Sequence, residues 1–132
     1  MSAPNLPICY EIDQSTNTIY IAVGPWSPEA VTEWLERLSA DPSYRPGMRA
    51  LLNLRFVAEP FPDLAQLSAI AAALEPVLST PPPRRWAALV SSDAMLHRVR
   101  ALETMIAGEF VHLRGFEDDG PALHWLGLTD TE

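Results

Sequence analysis

Lysine is absent from this chain, and all nine basic residues are arginines. Schiff-base chemistry, a lysine general base and a phosphate-binding P-loop are therefore excluded. Cysteine is reduced to one, Cys9, which rules out an internal disulfide and suits a reducing compartment. No glycine-rich turn follows an apolar strand, so the dinucleotide fingerprint is missing, as is GxSxG. No apolar run approaches the roughly 20 residues of a bilayer span. The opening "MSAPNLPICYEI" has neither a basic start nor an apolar signal core. A cytoplasmic chain without membrane insertion is the expectation.

The 132 residues, 48% of them hydrophobic and 20% charged, supply one core, so a single domain over 1–132 is expected, with its core at about 8–128. The formal charge of −8 opposes a nucleic-acid partner, because binding to phosphates needs a basic surface that displaces counterions. The excess of arginine, alanine and proline reads as the codon usage of a GC-rich bacterium.

In "PICYEID" Ile8, Tyr10 and Ile12 alternate with Cys9, Glu11 and Asp13, the pattern of a strand with one dry face. "NTIYIAVG" repeats it with Ile19, Ile21 and Val23, and "QSTN" between them has turn chemistry, so an antiparallel hairpin is predicted. A helix follows in "WSPEAVTEWLERLSAD". Ser27 is its cap, Pro28 suits the first turn, and Val31, Trp34, Leu35 and Leu38 form its buried stripe. Glu33 and Arg37 are spaced for an exposed pair worth about 0.2 to 0.5 kcal/mol.

"RALLNL" and "RWAALV" carry consecutive apolar residues, as parallel strands covered on both faces do. The helix after the first places Leu64, Leu67, Ile70, Ala71 and Leu74 on a stripe that can extend to Leu78. The helix after the second does so with Leu96, Val99, Leu102 and Ile106, capped by Ser92 or Asp93. "EFVHLRG" reads as a last strand and "EDDGPALHWLGL" as a closing helix with Leu123 and Leu126 inward. The order β-β-α-β-α-β-α-β-α gives an α/β domain with a mixed sheet, a hairpin followed by parallel strands, and about two helices on each face.

"DPSYRPG" ahead of a buried strand, "LNLRFV" closing it, and "RRWAALVSSDAMLHRVRALETM" together resemble the SpoIIAA-like proteins of the STAS fold, the domain of anti-sigma factor antagonists. The likeness runs from about Ile8 to Leu128 and rests on Asp41, Pro42, Tyr44, Pro46, Gly47, Leu54 and Arg55. It implies regulation by protein docking, with a partner kinase phosphorylating a serine just after the third strand. Relatives typically carry aspartate where this chain has Asn53. The corresponding loop here is "FVAEPFPDL", with no hydroxyl before Ser68. A phosphate adds roughly −1.5 to −2 charges, and Glu59 and Asp63 already place negative charge there, so the phospho-switch is expected to be missing. Pro60 and Pro62 stiffen the break, and Asp63 suits a helix cap.

His97, His112 and His124 are too scattered to form a metal set, and none has a catalytic partner in its spacing. His97 is expected in solvent and His112 packed or hydrogen-bonded. Ser92 and Asp93 read as capping residues rather than a hydrolase nucleophile. "TPPPRRW" reads as a stiff connection. Arg55 lies at a C-terminal strand edge, where α/β sheets bind ligands. Trp26 precedes the first helical stripe as a staple or an exposed anchor.

The leading expectation is a non-enzymatic interaction module that uses Arg55, Glu59, Asp63 and Trp26 to dock a protein partner or a second copy in a homodimer. It needs no cofactor and no metal. The alternative is a carrier of a small apolar, lipid-like ligand. It follows from the group's similarity in shape to the CRAL-TRIO domain and from a cavity under the helix containing Ala69, Ala71, Ala72 and Ala73. An enzyme built on Arg55 with Glu59 or Asp63 ranks below both.

Overall fold

A computed structural model describes residues 8–24, 27–45, 47–57, 62–78, 84–106 and 111–128. Five strands and four helices alternate as β1 (Ile8–Asp13), β2 (Thr18–Val23), α1 (Pro28–Ser39), β3 (Arg49–Asn53), α2 (Leu64–Leu78), β4 (Arg84–Leu89), α3 (Asp93–Met105), β5 (Val111–Phe116) and α4 (Asp119–Leu126). They form one α/β unit with a mixed sheet in the order β1-β2-β3-β4-β5, antiparallel between β1 and β2 and parallel thereafter. No described helix is long and apolar enough to cross a membrane.

Local chemistry places most of these elements. The hairpin turns through Asn17, whose φ of 56° lies in the left-handed region that asparagine tolerates. Asp13 Oδ1 accepts from the Ser15 amide at 3.0 Å and from its hydroxyl at 2.6 Å. These bonds, led by the hydroxyl, favour the charged carboxylate and lower the Asp13 pKa. Ser27 caps α1 by accepting from the Ala30 amide at 3.1 Å, and Ser92 caps α3 by accepting from Met95 at 3.1 Å. Gly127, at φ 77°, ends α4, with the Leu128 amide donating back to Leu123.

The layering departs from two helices per face. Helices α1, α2 and α3 pack side by side over the face formed by Ile19, Ile21, Ala50, Leu52, Trp86 and Ala88. Of the described elements only α4 lies on the other face, where Ala122 and Leu126 meet Ala87 and Leu89 of β4. The cause is topological. Crossovers of one hand that always step to the next strand in the same direction return on the same side of the sheet. A doubly wound sheet covers both faces because its strand order reverses, and this order never does. The final helix, which bridges no strands, is free to cross over.

The front core is dense. Trp34 and Trp86 meet edge to face with ring centroids 6.0 Å apart, each only 2% exposed. Burying each large aliphatic side chain around them contributes about 1.5 to 3 kcal/mol. Leu67, Ile70 and Leu74 carry the buried stripe of α2, and the side chain of Leu78 lies outside the described residues. Leu64, expected on that stripe, is instead 63% exposed. It is the first residue of the helix, and the cap at Asp63 sets a phase that turns it outward.

Candidate functional site

The C-terminal edge of the parallel strands gathers most of the polar chemistry. As β3 ends, Leu54 stays buried and its amide donates to Leu89 at 2.8 Å, keeping the chain against β4. Arg55 then turns toward the α4 side. Asn53 Oδ1 accepts from both the Arg55 amide and Nε, each at 3.1 Å. Nη1 of Arg55 reaches Asp119 Oδ1 at 2.9 Å, with side-chain exposures of 35% and 58%. Asn53 therefore acts as a neutral acceptor that aims the guanidinium.

The next residue is left in solvent. Phe56 is 70% exposed, while the Val57 amide donates to Leu54 at 3.1 Å and closes the turn beneath it. Where the chain is next described, Pro62 is buried and Asp63 opens α2. Asp63 Oδ1 accepts from the Gln66 amide at 2.8 Å, and Gln66 Oε1 accepts from the Asp63 amide at 3.0 Å. This reciprocal capping box satisfies two donors at the helix start. Two large apolar side chains, Phe56 and Leu64, thus flank the β3–α2 connection, each adjacent to a polar residue held by a structural bond.

Of the four residues singled out in the sequence, Glu59 and Trp26 lie outside the described residues. Arg55 and Asp63 are described and engaged separately, since the carboxylate on Arg55 is Asp119. Phe56, Leu64 and Asp119 are not among those four, Leu64 having been expected in the core. A phenylalanine directly after the strand-ending Leu-Arg was the one available signal.

Further along the edge, Glu117 follows β5 and Asp93 opens α3. A hydrogen bond from the Glu117 carboxyl to Asp93, reinforced by the charges of Asp93 and Asp118, raises the Glu117 pKa, and Arg100 opposes this. No group of three His, Cys, Asp or Glu side chains among the described residues is arranged to hold a metal. His97 and His124 are exposed, and so is His112, against expectation, because its position on β5 faces away from the core. Ser92 is occupied as a cap.

The helix rich in alanine does not roof a chamber. Ala69 and Ala72 face solvent, and the void bordered by Ile21, Trp34, Leu52, Leu74 and Trp86 measures about 20 Å³, the room one water needs. An apolar chain would have to displace α2 to enter.

Another salt-bridge expectation also changes. Arg37 turns away from Glu33: its Nη2 donates to the Ile8 carbonyl of edge strand β1 at 2.6 Å, and its guanidinium lies 5.9 Å from the centre of the Tyr10 ring. The Tyr10 hydroxyl donates to Asp41 Oδ2 at 2.8 Å. Burial first, then the bond to Asp41 and the charge of that carboxylate, push the Tyr10 pKa up to about 12. Neither a protein-family model, a curated protein nor a solved structure matches this chain.

Proposed function

We propose that this protein is a non-enzymatic docking module of the STAS, SpoIIAA-like kind, acting in the cytoplasm through the surface around its β3–α2 connection. The observation that carries this reading is the pair of solvent-facing apolar side chains, Phe56 and Leu64, on either side of that connection. Exposed large apolar groups ringed by satisfied polar ones favour protein contact. Arg55 and Asp63 are the polar residues that directly precede them, and their partners Asn53, Asp119 and Gln66 hold them in place.

The loop between them contains no hydroxyl, and the first one after it, Ser68, lies on the exposed side of α2 beyond its first turn. Docking here does not pass through phosphorylation of the connecting loop. The doubly substituted Phe56→Asp, Leu64→Asp chain, with helix content and unfolding temperature close to the parent's, is expected to lose co-purification of its specific partner from the native cell. Undiminished recovery of the same partner would contradict the proposal.

A further inference from the structure

The geometry points to a second docking surface: the half of the α4 face over β1–β3, which no described element covers, receives an amphipathic helix of a partner protein, laid beside α4, with cationic side chains along its outer flank. This surface lies on the opposite side of the sheet from α2 and does not depend on the Phe56 and Leu64 reading.

Strand register defines the bare area. Glu11 pairs with Tyr20, Tyr20 with Leu51 and Leu51 with Ala87, one row across the sheet. Cys9, Ala22, Asn53 and Leu89 form the next row. Helix α4 covers the β4 ends of both rows through Ala122 and Leu126, and the β1–β3 portion remains as an open groove of about 370 Å³. Tyr20, Ala22 and Leu51 line it along the sheet, Leu123 of α4 borders it, and Arg55 and Glu11 contribute polar groups.

The dimensions fit one helix. Strands lie about 4.8 Å apart, so β2 is about 10 Å from β4. Packed helices run about 8 to 10 Å apart, and a helix is about 10 Å across. A helix seated over β2 therefore touches α4 and spans β1 to β3. Over β2 and β3 the occupant has to bring a self-satisfied backbone, because these strands are paired on both sides and a face, unlike an edge, offers no free amides or carbonyls. That requirement favours a helix over an extended peptide.

Charge sets the flank. Asp119 already neutralises Arg55, whereas Glu11 is exposed at the far rim, on a chain of formal charge −8. A lysine or arginine on the β1 side of the incoming helix answers Glu11. A second copy of this chain offers no such helix among its described residues: the exposed positions of α2, from Leu64 to Glu75, include no cation, α1 exposes glutamates, and α3 buries its apolar stripe while exposing His97 and Arg100.

The probe is an 18-residue helical peptide with a Leu/Ala stripe and lysines along one flank, compared with the same peptide carrying glutamates there. In the ¹⁵N-labelled full chain the lysine peptide is expected to shift the amides of Tyr20, Ala22, Leu51 and Leu123. Its affinity should fall at least tenfold in Ala22→Trp, which fills the groove. In Glu11→Arg the preference should invert toward the glutamate peptide. Phe56→Asp should leave all of this unchanged, which separates this surface from the β3–α2 connection. Shifts confined to the glutamates of α1, equal affinity in Glu11→Arg and the parent, or a dimer in solution whose contact is this face would each overturn the assignment.

Discussion

Arg55 and Asp119, 64 positions apart in the chain, meet at 2.9 Å and join the end of β3 to the start of α4. At the other end of the same helix, Arg49 donates to the Leu126 carbonyl at 2.8 Å and Arg85 to the Trp125 carbonyl at 2.7 Å. An eight-residue helix is too short to hold its shape alone. Cations from two strands thus satisfy its last carbonyls while Arg55 engages an acid in its first turn, the arrangement its dipole favours.

The Arg55–Asp119 pair is half open to solvent, so its coupling is small. A double-mutant cycle with Arg55→Ala and Asp119→Ala is expected to return under about 1 kcal/mol. The coupling should shrink further as salt is raised, since a Debye length of about 8 Å at physiological ionic strength screens exposed charge. Chemical denaturation at low and high salt measures it.

Tyr10→Phe removes the donor to Asp41 and is expected to cost about 0.5 to 1.5 kcal/mol at neutral pH. The phenol pKa is raised from an ordinary 10.0 to about 12 in the fold, so the folded chain keeps a proton that the unfolded chain releases. The stabilisation is complete below pH 10 and is lost as pH rises from 10 through 12. Unfolding free energies over that interval should fall more steeply for the parent than for Tyr10→Phe.

Glu117→Gln should raise stability at neutral pH, because it removes a carboxylate whose charged form Asp93 and Asp118 oppose. The raised pKa means that the folded chain binds more protons than the unfolded one above the ordinary value of 4.5, so the parent loses stability as pH rises through that region. Thermal unfolding of the two chains should diverge toward pH 7 and converge below pH 4.

Gly115→Ala tests how tightly α3 sits on β5. A Cβ there would come within 2.9 Å of Leu96 Cδ1 and 3.0 Å of Val99 Cγ1, closer than carbon atoms pack. Leu96 is half-buried and its end can swing aside, whereas Val99 is fully buried and has little room to yield. A loss of about 1 to 3 kcal/mol in denaturant unfolding is expected.

The five strands were legible because the hairpin alternates and the inner strands run apolar without a break. The caps Ser27, Ser92 and Asp63 were legible because capping is local. Layering was not, since strand order is a property of the assembled sheet and no single segment encodes it. Leu64 was misread because a leucine three residues before Leu67 looks like stripe. The alanines of α2 give little contrast between its faces, and the capping phase decides the outcome. Arg37 turned from Glu33 to the Ile8 carbonyl and the Tyr10 ring, partners 29 and 27 residues away that helix spacing does not reveal. The junction was therefore readable as a strand-to-helix break with a cap, but its exposed Phe56 and the reach of Arg55 to Asp119 depended on tertiary structure.

The most direct measurement of the docking account is photo-crosslinking in the native cell from p-benzoylphenylalanine placed at position 56, with position 97 on exposed α3 as the control. A single discrete adduct from position 56, absent from position 97 and lost when Leu64→Asp is added, is the outcome that docking at the β3–α2 connection requires. Adducts of equal yield from both positions, or none from position 56, would contradict it.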